Sequence, residues 1–176
     1  VYNELNKLGG LWIYAISGNH DIKKVSRVGN PPYSWLYTVE RYGIEIIDYT
    51  TRILSGYHKE IEVHGVPYID NNIGISKYLS ELKLDKSKKH ILLLHTDYPG
   101  AKDTDGREID SVENLNLNTL NRFDLVLCGH IHKPQRLGKK VYMIGAPNQQ
   151  RRTDNNCKRG YWKIYEDFSM EFKPFK

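Results

Sequence analysis

Three short apolar runs each end in side chains able to hold a metal ion, and no other feature of this chain constrains its fold as much. Leu11-Trp12-Ile13-Tyr14-Ala15-Ile16 leads into Ser17-Gly18-Asn19-His20-Asp21. Ile91-Leu92-Leu93-Leu94 leads directly into His95-Thr96-Asp97, and Leu125-Val126-Leu127-Cys128 into Gly129-His130-Ile131-His132. Each run is too short for a helix and rich in strand formers, as expected of strands buried on both faces. In open α/β sheets ligands bind at the carboxyl ends of the strands, where the loops converge. Three such ends carrying Asn or His therefore predict one common site. Glycine before Asn19 and before His130 allows the sharp backbone turns that aim side chains back over the sheet edge.

Taken singly, each motif has a plainer reading. A lone His at a strand end is usually a solvated loop residue, His130-x-His132 equally describes a polar surface pair, and Gly-Asn-His-Asp is good turn chemistry. Their joint placement is what points to a site. The other histidines read as structural: His64 falls on the polar face of an alternating strand, His58 at a turn, and His90 after a Lys-rich surface stretch. Cys128 reads as a small buried hydrophobe and not a ligand.

The rest of the chain alternates helices and strands early and is dominated by strands late. Tyr2, Leu5 and Leu8 share a helical face stopped by Gly9-Gly10, Pro31-Pro32 opens a helix through Trp35 and Val39, and Ile44 to Ile47 is a short strand. Arg52 to Tyr57 and Lys59 to Val66 read as paired strands, and Ile75, Tyr78, Leu79 and Leu82 as the apolar face of a helix capped by Asp70-Asn71-Asn72. The polar stretch from Pro99 to Asn121 carries one short helix near Val112 to Leu120. Val141 to Ile144 reads as a strand, and Tyr161 to Tyr165 with Met170 to Phe175 as a hairpin. The pattern is α/β with mixed sheets.

The 176 residues fit a single domain. The two cysteines exclude a disulfide-stapled module and make a reducing, cytoplasmic compartment the expectation. No apolar run approaches the ~20 residues of a membrane helix, so no membrane partner is expected. The net charge of +5 permits a nucleic-acid partner.

Gly18-Asn19-His20-Asp21, His95 and Gly129-His130-Ile131-His132 together resemble the third, fourth and fifth motifs of the calcineurin-like metallophosphoesterases. More narrowly, Val66-Pro67-Tyr68, Gly145-Ala146-Pro147 and the basic segment that follows resemble the SbcD-type exonucleases of DNA recombination and break repair, including those of phages. The resemblance implies a β-sandwich of mixed sheets flanked by helices in four α/β/β/α layers. It also implies two divalent metals roughly 3.5–4 Å apart, bridged by a hydroxide that attacks phosphorus. By the match, Asn19, His95 and His130 hold one metal and His132 the other. His20 stands beside the scissile phosphate as a catalytic residue, with Asp21 orienting it. Mixed N and O ligands suit Mn²⁺, with Fe or Zn as alternatives. An SbcC-type ATPase is the partner the resemblance implies.

The family's first two motifs, Asp-x-His and Gly-Asp-x-x-Asp, do not occur in the chain. Residues 1–176 therefore read as the C-terminal portion of one nuclease domain, with a separate N-terminal piece as an expected partner. The expected function is metal-dependent hydrolysis of DNA by an exonuclease or endonuclease. Arg151, Arg152, Lys158 and Arg159 suit a phosphate backbone, and equally a solvated loop. The alternatives are another phosphoesterase of the same fold, acting on nucleotides or phosphoproteins, and a non-catalytic module that binds DNA or a partner chain.

Overall fold

The structure is a computed structural model that describes residues 12–23, 33–55, 60–69, 72–110 and 115–175. The expected helix over Tyr2, Leu5 and Leu8, the Pro31-Pro32 and Asp70-Asn71 signals and His58 lie outside the described residues.

Six strands form the main sheet: β5 (Thr51–Ser55), β6 (Glu60–Val66), β7 (Lys89–His95), β8 (Leu125–Gly129), β10 (Val141–Met143) and β9 (Gln135–Leu137), side by side in that order. The middle four are parallel, and β5 and β9 run antiparallel along the two edges. The sheet is mixed and flanked by helices, as the alternation predicts. Three pairs stand outside it: β1 (Ile13–Ala15) with β4 (Ile44–Ile46), β2 (Ile22–Lys23) with β3 (Tyr33–Ser34), and the hairpin of β11 (Gly160–Ile164) and β12 (Met170–Pro174).

Both faces of the main sheet are covered, which is why its strands read as unbroken apolar runs. Val66, Leu92, Leu94, Val126, Cys128 and Met143 face Ile75 and Leu79 of helix α1 (Asn72–Glu81). Alternate residues Val63, Ile91, Leu125 and Tyr142 face the opposite way, against Ile47 and Tyr14 from the β1/β4 layer and Trp162 and Met170 from the hairpin. The C-terminal end of α1 is tied down by Arg122, whose guanidinium donates to the carbonyls of Leu79 and Leu82 at 2.6 Å each. Helix α2 (Leu117–Leu120) is the short helix expected in the polar stretch, capped by Asn116.

Three expectations are corrected. The first apolar run is not a doubly buried strand of the main sheet: among the described residues β1 pairs with β4 alone, and Trp12 is 75% exposed. The helix before Gly43 is a 3₁₀ helix, Trp35–Tyr42, with no buried residue. Its aromatic and β-branched side chains favour an α-helix poorly, and no burial compensates. Finally, His64 and His90 are not surface residues; they are 1% and 4% exposed. The face on which Glu60, Glu62 and His64 alternate turns toward Phe123, whose ring meets the His64 imidazole edge-on at 5.5 Å.

Burial holds the His64 imidazole at about 4, with His90 adding to the shift and Glu62 opposing it. Between that value and the ordinary 6.5, the unfolded chain binds a proton that the folded chain refuses. Stability should thus fall as pH drops through this window, by about 3 kcal/mol if His64 alone is counted. Denaturation in chelator at stepped pH values checks this. The His64→Gln variant should show a shallower acid loss than the native chain, and equal slopes would refute it.

Candidate metal centre

Two layers deliver the site. β7 and β8 lie in register with His95 opposite Gly129, so His95 and His130 emerge at the same end of the main sheet. Asn19 arrives from the β1/β4 layer, and hydrogen bonds fix its approach. The Asp48 carboxylate, just past β4, accepts from the Ser17 N–H at 2.8 Å and from its hydroxyl at 2.6 Å. Tyr68, just past β6, donates its backbone N–H to the Ser17 carbonyl at 2.9 Å. The Asp21 carboxylate accepts from the Gly18 N–H at 2.8 Å and closes the turn that presents Asn19 and His20.

The glycines act differently from expectation. A methyl group on Gly18 would stand 2.7 Å from Cε1 of His95, and one on Gly129 2.9 Å from its Nδ1. Both leave room for the same imidazole. The backbone strain falls on His130 itself, a non-glycine residue at φ +92°, a conformation that persists only when surrounding contacts impose it. Tyr68 is one such contact: its ring stacks on that of His130 at 5.8 Å and meets His95 edge-on at 6.2 Å.

Asn19, His95 and His130 converge. Oδ1 of Asn19 lies 3.1 Å from Nε2 of His95 and 3.4 Å from Nδ1 of His130. Burial, reinforced by His130, His20 and His132, pushes the His95 imidazole down to about 4, so it is neutral with a lone pair to offer. Burial also lowers His130, with Asp97, whose carboxylate oxygen is 3.5 Å from Nε2, pulling the other way. A cleft of about 650 Å³ opens over these groups, walled by His20, His132, Arg151 and the turn Gly145-Ala146-Pro147.

A model of the calcineurin-like phosphoesterase family matches residues 2–134, which takes in Asn19, His95, His130 and His132. This chain belongs to the calcineurin-like phosphoesterases. Among solved structures, a crystal structure assigned as a 5'-nucleotidase from Staphylococcus aureus is similar over 98% of this chain, with a TM-score of 0.51 and 14% identity. At that identity the likeness concerns the fold. The chain spans 38% of the length of that protein. No curated protein matches the chain.

The donor set of this calcineurin-like domain fits a divalent cation. One amide oxygen and two imidazole nitrogens at 3.1 and 3.4 Å have the spacing of neighbouring ligands in a single shell, where each donor sits about 2.0–2.2 Å from the metal. His132 is placed differently. It borders the same cleft, but its Nδ1 is engaged at 3.0 Å by Oδ2 of Asp154. His20 is exposed at the cleft wall. No described helix is long and apolar enough to cross a membrane.

Sequence reasoning missed Asp154. It is 2% exposed in the 3₁₀ helix Arg152–Asn156, within the segment whose plainer reading is a solvated loop. Its Oδ2 also accepts from the backbone N–H groups of Gln150 and Arg151, at 2.9 and 2.8 Å. Burial opposes its charge, but these bonds and His132 outweigh burial and hold its carboxyl below the ordinary value. One signal could have found it: Asp154 is the only carboxylate between Leu125 and Tyr165, in the midst of a basic segment. Of the four basic residues read as DNA contacts, Arg151 borders the cleft. Arg152 and Lys158 are exposed, and Arg159 reaches the Asp154 carbonyl at 3.5 Å.

Proposed function

We propose that the cleft hydrolyses phosphodiester bonds of DNA with divalent metal, the mixed oxygen and nitrogen donors suiting Mn²⁺, with Fe or Zn as alternatives. The observation that carries the reading is the convergence of Asn19, His95 and His130 beside an exposed His20 and an arginine. Asn19, His95 and His130 would hold one cation, with His132 available to a second. Such a cation supplies Lewis acidity and a water acidic enough to attack phosphorus at neutral pH. The chain's own residues do the remainder. Asp48, Tyr68 and Asp21 fix the turn that carries Asn19, so the donor set is pre-formed. His20 can hand a proton to the departing oxygen, and the Arg151 guanidinium can grip a non-bridging phosphate oxygen. The basic residues beyond Arg151 favour a polyanion over a mononucleotide, and an SbcC-type ATPase and a separate N-terminal piece remain the proposed partners.

The experiment compares hydrolysis of linear duplex DNA, single-stranded DNA and nucleoside 5'-monophosphates in Mn²⁺, with the chain alone and after addition of a piece carrying the family's first two motifs. Hydrolysis of DNA, weakened broadly across sequences by Arg151→Gln with Arg152→Gln and with a lowered salt slope, supports the reading. Turnover confined to the monophosphates would assign a nucleotidase instead. DNA binding without turnover under both conditions would make the chain a binding module.

A further inference from the structure

A second cluster of metal-competent side chains lies at the other end of the main sheet. Glu62 and His64 are two residues apart on β6 and so share a face, and the register partner of Glu62 on β7 is His90. His90 and His95 are separated by five residues of one strand, about 16 Å, so this cluster is not part of the cleft. It rests on none of the groups that support the phosphoesterase reading.

We propose that Glu62, His64 and His90 form a buried zinc-class cation site that is structural in role. Nε2 of His64 and Nδ1 of His90 are 3.0 Å apart, and Oε2 of Glu62 lies 3.8 Å from the first and 3.4 Å from the second. Donors about 2.0–2.1 Å from a tetrahedral zinc stand about 3.3 Å from one another. The triangle therefore already has the size of three ligands of one ion, with a fourth position left for water.

The outer atoms of all three side chains are held as those of metal ligands usually are. Nε2 of His90 is 2.9 Å from the Asp85 carbonyl, which can only accept, so the proton sits there and the Nδ1 lone pair faces the centre. Nδ1 of His64 is 2.8 Å from the Thr51 hydroxyl, which can accept its proton once Nε2 is occupied. Glu62 splits its oxygens: Oε1 takes the Lys88 ammonium at 2.9 Å, leaving Oε2 for the centre. Lys88 places a positive charge nearby, but Glu60, 3.1 Å from the same ammonium, compensates it. An ion here would join β5, β6, β7 and the turn at Asp85.

The competing occupant of the centre is a proton. With His64 Nε2–H donating to His90 Nδ1 and the Thr51 hydroxyl donating to His64 Nδ1, the same atoms make a neutral hydrogen-bonded chain. Zinc content after gel filtration separates the two. The full chain carrying His95→Ala and His130→Ala, which removes two of the three donors of the Asn19 cluster, should retain an equivalent of zinc and melt higher with it. Adding Glu62→Gln, which spares the histidines, should weaken zinc at least tenfold. Co²⁺ should give the intense visible bands of a four-coordinate site, and these should vanish with His64→Gln and His90→Gln. Failure of the cleft variant to retain zinc would overturn the proposal. So would an imidazole proton shared by His64 and His90 that persists in NMR spectra of the native chain in excess zinc, a readout that needs no variant to fold.

Discussion

On the proposed function, replacing His20 by alanine should lower kcat on DNA by about 10²–10⁴-fold while metal content stays unchanged. Asn19, the neighbour of His20 in the same turn, reaches the His95 and His130 nitrogens, whereas His20 stays at the exposed wall of the cleft. A side chain so placed can meet the substrate without being a ligand. Leaving-group chemistry tests its role. A DNA alkoxide needs a proton as it departs; a nitrophenolate hardly does. His20→Ala should therefore harm DNA cleavage far more than hydrolysis of a nitrophenyl phosphodiester. Equal losses would make His20 a stabiliser of phosphate charge and not the acid. Metal lost in step with activity would make it a ligand and contradict the assignment.

The second large effect is expected at Asp154. With His132 a metal ligand as proposed, Asp154→Asn should reduce activity or metal affinity by about 10–100-fold, the range for a residue that orients such a histidine. The route is the 3.0 Å contact from Oδ2 to Nδ1 of His132, which fixes the orientation of the ring. The loss should appear mainly as a higher metal requirement, with kcat partly restored at saturating Mn²⁺; a purely structural role would not move that dependence. Asp154→Ala should in addition remove the acceptor of the Gln150 and Arg151 N–H groups, costing about 1 kcal/mol per lost hydrogen bond because both residues are exposed to water. An unchanged metal dependence in Asp154→Asn would show that His132 needs no such support.

Much of this arrangement was legible because strand ends are local. Apolar runs at Ile91–Leu94 and Leu125–Cys128 read as buried strands, and each became a member of the parallel core. The one or two residues after such a run must emerge at the sheet edge, so His95 and His130 could be placed together before any contact was known. The amphipathic spacing of Ile75 and Leu79 fixed the inner face of α1 just as directly. The hairpin of β11 and β12 followed from two strand-like runs and a polar turn.

What the sequence determined by itself is thus periodicity and termination: which residues form strands, which share a face, and where metal-competent side chains leave the sheet. It could not say which face meets water. His64 alternates correctly with Val63, yet both are buried, because the main sheet is covered on each side and period two does not distinguish a solvated face from a packed one. Nor could it bring Asp154 to His132, 22 residues away, or Glu62 and His64 to His90 on the neighbouring strand. Those meetings depend on strand order and register, which are set by the packing of distant layers. The tertiary structure alone decided them, because a carboxylate or imidazole shows its chemistry in the sequence but acquires its partner only when the chain is folded.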